Sequence, residues 1–184
     1  MGIIATGKLI KIRDITIEDV PQFVSWWNNG ELMADVGFKK GLGVTEDKLL
    51  KDFSKEISDP NPYRESRRYV VLDIKDERPI GELAYGQLDL AQKKCGIGIK
   101  ICELSYQGKG YGQDTLITFM NYLYNHFGLQ KIEIDTLADN LRALSLYKKI
   151  GFKQTKIELD YWTDPEGISH DLIFMELYKK DWKY

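Results

Sequence analysis

Two short stretches of this sequence carry residue types whose spacing could bind a ligand and react with it. The first is Gln107-Gly108-Lys109-Gly110-Tyr111-Gly112, which follows alternating residues from Cys95 to Cys102 and precedes an apolar helical pattern. That pattern is Leu116, Phe119, Met120, Leu123 and Phe127. A strand, a glycine-rich turn and a helix in that order put free backbone N–H groups at the positive end of a helix, where phosphate-like anions bind. Glycines at 108, 110 and 112 leave no side chain to hold an anion away. A Walker loop would need Ser or Thr after its lysine, and Gly110 stands there instead. The dinucleotide fingerprint fails too, because these glycines alternate. The second stretch runs from Asp139 to Phe152. Asn140 and Tyr147 are nearly two helical turns apart and share one face with the small Ala143 between them, so a ligand could lie along that face. Gly151 is placed to close the helix.

Gln107 to Gly112 fits Gln/Arg-x-x-Gly-x-Gly/Ala and resembles the acetyl-CoA pyrophosphate loop of the GNAT N-acetyltransferases. The pattern Asn-x-x-Ala-x-x-x-Tyr-x-x-x-Gly-Phe at Asn140–Phe152 resembles the same family's segment after its fifth strand. The ending Gly167–Leu177 is similar to the last strand of the ribosomal-protein and spermidine N-acetyltransferase branches. The resemblance covers roughly the C-terminal half and implies a GNAT-like α/β (α+β mixed) fold. Its mixed, mostly antiparallel sheet would have about seven strands flanked by about four helices.

The resemblance also implies roles. Gln107, Gly108, Lys109, Gly110, Tyr111 and Gly112 would hold the cofactor's diphosphate, with a hydroxyl from Thr115 and positive charge from Lys149. Backbone groups over Ile101, Cys102 and Glu103 would bind the pantetheine arm as an added strand. Asn140 and Ala143 would lie along that arm, and the Tyr147 hydroxyl beside the sulfur. Tyr147 is then the candidate general acid, because the thiolate that leaves must be protonated. Glu103 is the candidate base, with Glu82 or a water as alternatives. The expected cosubstrate is acetyl-CoA, with no metal, since no Cys/His cluster has ligand spacing.

Around these stretches the sequence lays out its elements. Leu9–Ile15 alternates as a strand, and Thr16 with Asp19 forms a capping-box-like start for Val20, Phe23, Val24 and Trp27. Glu31–Gly43 reads as irregular. Thr45 caps a helix with Leu49, Leu50, Phe53 and Ile57 on its face. Strands follow at Arg68–Ile74, Ile80–Leu90 (with bulges plausible at Gly81 and Gly86) and Cys95–Cys102. After the loop and its helix come a strand at Lys131–Thr136, a helix ending near Lys149, and a hairpin of Phe152–Tyr161 with Ile168–Tyr178. No repeat or linker interrupts the chain, so one domain over residues 1–184 is expected.

The 184 residues are 43 % hydrophobic and 29 % charged with a net charge of −2, which fits a globular fold and argues against a nucleic-acid partner. Cys95 and Cys102 are an odd number of residues apart on one strand, so they face opposite ways and cannot pair. A reducing, cytoplasmic setting is the default. No apolar run is long enough for a membrane span. The loose myristoylation pattern at Met1–Thr6 is short enough to arise by chance. Monomer and homodimer both stay open, with the terminal hairpin as a plausible pairing edge.

The acceptor side is less defined. Trp26, Trp27, Tyr63, Tyr85, Tyr161 and Trp162 could flank a cleft, with Glu31, Asp35, Asp160, Asp164 and Glu166 near them. Such a surface suits a small polyamine or aminoglycoside-like amine, or a protein N-terminus. His170 reads as a strand histidine. A CoA-binding sensor or adaptor without turnover shares the phosphate loop but needs no Tyr147, and a nucleotide-phosphate binder is a weaker third reading.

Overall fold

The computed structural model describes residues 2–184; Met1, and with it the start of the myristoylation pattern, lies outside the described residues. Eight strands form one sheet: β1 (Ile3–Thr6), β2 (Ile10–Asp14), β3 (Arg67–Asp73), β4 (Pro79–Asp89), β5 (Lys94–Ile101), β6 (Lys131–Leu137), β7 (Lys153–Thr163) and β8 (Ser169–Tyr178). Their spatial order is β1-β2-β3-β4-β5-β6-β8-β7. All neighbours are antiparallel except β5 and β6. One strand beyond the expected seven is β1, whose four residues are too few to show a period and which is held by pairing with β2.

Five helices accompany the sheet: α1 (Val20–Asn28), α2 (Gly30–Met33), α3 (Glu46–Ser58), α4 (Tyr111–His126) and α5 (Leu141–Ile150). The extra one is α2, inside the segment expected to be irregular. It is a single turn started by the Asn29 side chain, which accepts from Glu31 N at 3.0 Å and Leu32 N at 3.3 Å. The Asp19 carboxylate accepts from Thr16 N at 2.7 Å and receives both arms of Arg13 at 2.7 Å, fixing the entry to α1. Thr45 caps α3 through Lys48 N, as its position suggests.

The sheet divides two apolar layers. Ile12, Tyr69, Leu83, Cys95, Ile132 and Met175 face α4 and α5, which bury Phe119, Met120, Leu123, Leu144 and Ile150 against them. Val70, Leu72 and Cys102 face α1 and α3, which contribute Phe23, Trp26, Leu49 and Phe53. The two cysteines therefore sit on opposite faces, as their spacing requires, and both are free. Burial pushes the Cys95 thiol up to about 12 and the Cys102 thiol still higher, so neither is a ready nucleophile. The register of β4 slips on both sides, near Gly81 and after Gly86, where the glycines suggested bulges.

The start of α4 is held from outside the helix. The Asp114 carboxylate accepts from Lys8 N at 3.1 Å and Leu9 N at 2.7 Å, tying the β1–β2 turn to the helix's first turn. An added Cβ at Gly7 would lie 2.4 Å from an Asp114 oxygen, so only glycine lets the turn come this close. Asp114→Ala leaves two backbone donors without partners and removes a favourable charge at the helix N-terminus. We expect it to lower stability by about 2 kcal/mol in urea unfolding; an unchanged midpoint would show that the turn is held by other contacts.

The parallel ladder between β5 and β6 covers only Lys94–Gly96 against Lys131–Glu133. Beyond it β5 continues to Ile101 and β6 to Leu137 without pairing to each other, and a gap opens through the sheet.

Candidate active site

The glycine loop lies at the end of the gap. Gly108 and Gly110 have φ of 71° and 90°, left-handed conformations that glycine adopts without steric cost. Tyr111 then begins α4, whose first internal bond from the loop is Asp114 N to Gly110 O at 3.0 Å. Among the described residues, the amides from Gly108 to Gln113 donate to no acceptor in the chain. Of these residues, Gly108, Gly110, Gly112 and Gln113 border the cleft at a helix N-terminus, and the loop is a cradle that fits a diphosphate. Gln107 fixes the cradle rather than filling it. Its Nε2 donates to Ile101 O at 2.8 Å, and its Oε1 accepts from Arg142 on α5.

Several expected ligand residues sit elsewhere. Thr115 is fully buried and its hydroxyl donates to Tyr111 O at 2.8 Å, so it does not reach a phosphate. Tyr111 packs edge-on against Tyr106 with centroids 4.8 Å apart, bracing the loop from beneath. Neither Lys109 nor Tyr111 lines the cleft, whereas Lys149 does. Cys102 lies in the α1 and α3 layer, and its amide and that of Glu103 both donate to Ile80 O, at 2.9 and 3.1 Å. Those amides are taken by β4 and are closed to a pantetheine arm. The Glu103 carboxylate accepts from Trp26 Nε1 at 3.0 Å and is turned away from the cleft, which removes the geometric support for it as a base.

The cleft measures about 820 Å³ and passes between β5 and β6. On the α5 side it meets Asn140, Ala143 and Tyr147, the face that helical spacing marked. Asn140 is the N-cap: its Oδ1 accepts from Ala143 N at 3.1 Å and its Nδ2 donates to Asp35 O at 3.2 Å. Tyr147 is 6 % exposed, and among the described residues its hydroxyl has no hydrogen-bond partner. Burial, and then the nearby Asp135 carboxylate, hold the phenol well above its ordinary range.

On the opposite face of the sheet the cleft has a floor of small residues. Ala84 and Gly98 stand opposite each other in the β4–β5 ladder, and the space above Gly98 is open. Trp27, Leu32, Val36, Phe38, Tyr161 and Trp162 wall it. Glu82 accepts from Trp27 Nε1 at 2.8 Å, and burial raises its carboxyl despite Lys100 and this bond. Partial desolvation also raises the Asp135 carboxyl, although the residue is exposed to the cleft. Burial lowers the Lys100 ammonium, with Glu82 opposing that shift.

The other expected acceptor residues divide. Trp27, Tyr161, Trp162 and Asp35 line the cleft, whereas Trp26 and Tyr85 are core and Tyr63 stands 55 % exposed outside it. Glu31, Asp160, Asp164 and Glu166 are not among the lining residues. Asp164 is buried and bonds His170 Nε2 at 3.0 Å within the β7–β8 hairpin, where His170 stacks on Trp162. Asp135, Lys100 and Arg142 were not singled out by the sequence. Asp135 had one available signal, the alternation of Ile132 and Ile134 inward against Glu133 and Asp135 outward. Among the described residues no cluster of His, Cys, Asp or Glu could hold a metal ion, and no helix is long and apolar enough to cross a membrane.

The chain is similar to known proteins in sequence and fold. The model of the acetyltransferase (GNAT) domain family matches residues 10–153. An uncharacterised N-acetyltransferase of Bacillus licheniformis is 18 % identical over 173 residues, covering 94 % of each chain. A ribosomal protein bS18 alanine N-acetyltransferase of Haemophilus ducreyi is 28 % identical over 74 residues, 40 % of this chain and 50 % of that one. The crystal structure of spermidine N-acetyltransferase from Vibrio cholerae in complex with CoA and spermine superposes with a TM-score of 0.82 at 21 % identity, over 94 % of this chain and 97 % of that one. A match over most of the chain, on a sheet parted at β5 and β6 with a free amide cradle at its mouth, places this protein in the GNAT family as an acetyl-CoA-dependent acyltransferase.

Proposed function

We propose that the protein transfers an acetyl group to a primary amine by direct attack, with Tyr147 as general acid and Asp135 as general base. The observation that carries this reading is that Tyr147 and Asp135 line one cleft at the parted strands, close enough for the carboxylate to add to the upward shift that burial gives the phenol. The amide cradle and Lys149 would hold the cofactor's phosphates, and the α5 face its arm. Bound acetyl-CoA supplies a thioester already activated toward amines. The amine comes from the α1 and α2 face under Trp27, on the far side of the sheet from α5. Asp135 takes the proton the amine must lose, and the Tyr147 hydroxyl gives its own to the sulfur that leaves. Neither cysteine takes part: both are buried, and their thiols are held protonated.

The pH profile tests the base. A raised carboxyl stays protonated to higher pH, so activity should be lost on acidification at a pH above the ordinary carboxylate value of about 3.9. Asp135→Asn should cut kcat about a hundredfold and abolish that acidic limb. A limb unchanged in this variant would exclude Asp135. A sensor without turnover is the second reading: it predicts that CoA binds and that no amine releases thiol from acetyl-CoA.

A further inference from the structure

The floor of the acceptor side carries three ionisable groups on one face of the sheet. Glu82 stands directly opposite Lys100 in the β4–β5 ladder, and Ala84 opposite Gly98 two residues along. Gly96 and Glu133 are the last pair in register between β5 and β6, and two residues further along each strand Gly98 and Asp135 lie on that same face, across the gap from each other. Glu82, Lys100 and Asp135 thus surround a patch of small residues with open space above it.

Their existing partners differ. Glu82 accepts from Trp27, and Arg68 beyond it is tied to Glu56 at 2.6 Å. Asp35 at the rim is paired with Arg142 at 2.7 Å. Asp135 has no partner among the described residues. Lys100 Nζ has no carboxylate within 4.0 Å, and its polar contact is the Met33 sulfur at 2.7 Å. An unpaired, half-buried ammonium is costly unless a ligand supplies an anion. A polyamine does the opposite, since its second ammonium would face this fixed cation with only Asp135 uncommitted.

We propose that the acceptor is an α-amino-acid-type molecule, whose carboxylate is received by Lys100 while its amine is held between Glu82 and Asp135. The aromatic walls from Trp27, Phe38 and Trp162 cover its side chain. The lowered affinity of Lys100 for its proton agrees with an ammonium that still lacks its counter-ion. This inference rests on the acetyl-transfer reading and narrows it.

The test measures thiol release from acetyl-CoA with matched triplets. Phenylalanine, leucine and lysine are each offered as the amino acid, as its α-amide and as the decarboxylated amine, with spermidine as a separate arm. In the series turned over best, the amino acid should exceed both partners in kcat/KM by about tenfold to a hundredfold. Lys100→Met should bring that ratio near one while the KM for acetyl-CoA stays unchanged, and Lys100→Arg should retain part of it. Amides or decarboxylated amines that react as well as the acids would overturn the inference. So would a ratio that survives Lys100→Met, or spermidine outrunning every acid; either leaves acetyl transfer itself intact. No thiol release with any amine, while CoA still binds, removes the transfer reading and this inference with it.

Discussion

Tyr147→Phe is expected to lower kcat by about 10² to 10³ with the KM for acetyl-CoA little changed. The substitution deletes one oxygen whose hydroxyl has no partner among the described residues, so it removes no structural hydrogen bond. The ring keeps its tilted contact with Phe152, centroids 6.0 Å apart, and stability should hold. On the proposed mechanism, what is lost is the proton for the departing sulfur. In water a phenol at about 10 protonating a thiolate at about 8.5 is uphill by roughly 2 kcal/mol. Burial raises the phenol further, which guarantees that its proton is present at neutral pH. Desolvation of a thiolate beside the phenol would raise its affinity for a proton as well, which keeps the two comparable. An unchanged kcat would take Tyr147 out of the chemistry and leave it a packing residue.

Gly110→Asp should abolish CoA binding in calorimetry while the protein stays folded. Gly110 lies in the left-handed region at the head of α4, within the run of unpaired amides. An aspartate there brings a negative charge to the place meant for the diphosphate. Two like charges 4 Å apart in surface-like surroundings repel by about 4 kcal/mol, close to a thousandfold in affinity. Stability should move little. A non-glycine left-handed residue costs about 1 to 2 kcal/mol, and a carboxylate at a helix N-terminus returns about 0.3 to 1. Gly110→Asn shares the backbone cost without the charge, and should keep most of the affinity. Equal CoA binding by the Asp variant and the parent would mean that the loop has been assigned the wrong ligand.

Sequence alone determined the parts of the protein whose physics is local. A glycine loop needs positive φ at given positions, and Gly108 and Gly110 have it. A cap needs its acceptor at the helix start, and Asn140 supplies it. Strand alternation decides which way a side chain faces, so Cys95 and Cys102 separate as their spacing says. Helical spacing likewise put Asn140, Ala143 and Tyr147 on the same surface. Thr115 was misread within the same local logic: it lies in the first helical turn, but on the side turned to the core.

The tertiary structure decided what depends on two strands failing to pair. Nothing in Lys131–Leu137 announces that its ladder with β5 stops after three residues. That stop opens the gap and leaves Asp135, Tyr147 and Lys100 lining one cleft. It also separates Glu103 from the chemistry, because the chain beyond Ile101 bends toward α1, where Trp26 takes the carboxylate. Side-chain partners drawn from positions 67 to 107 residues apart are set by packing, and no spacing rule reaches across them.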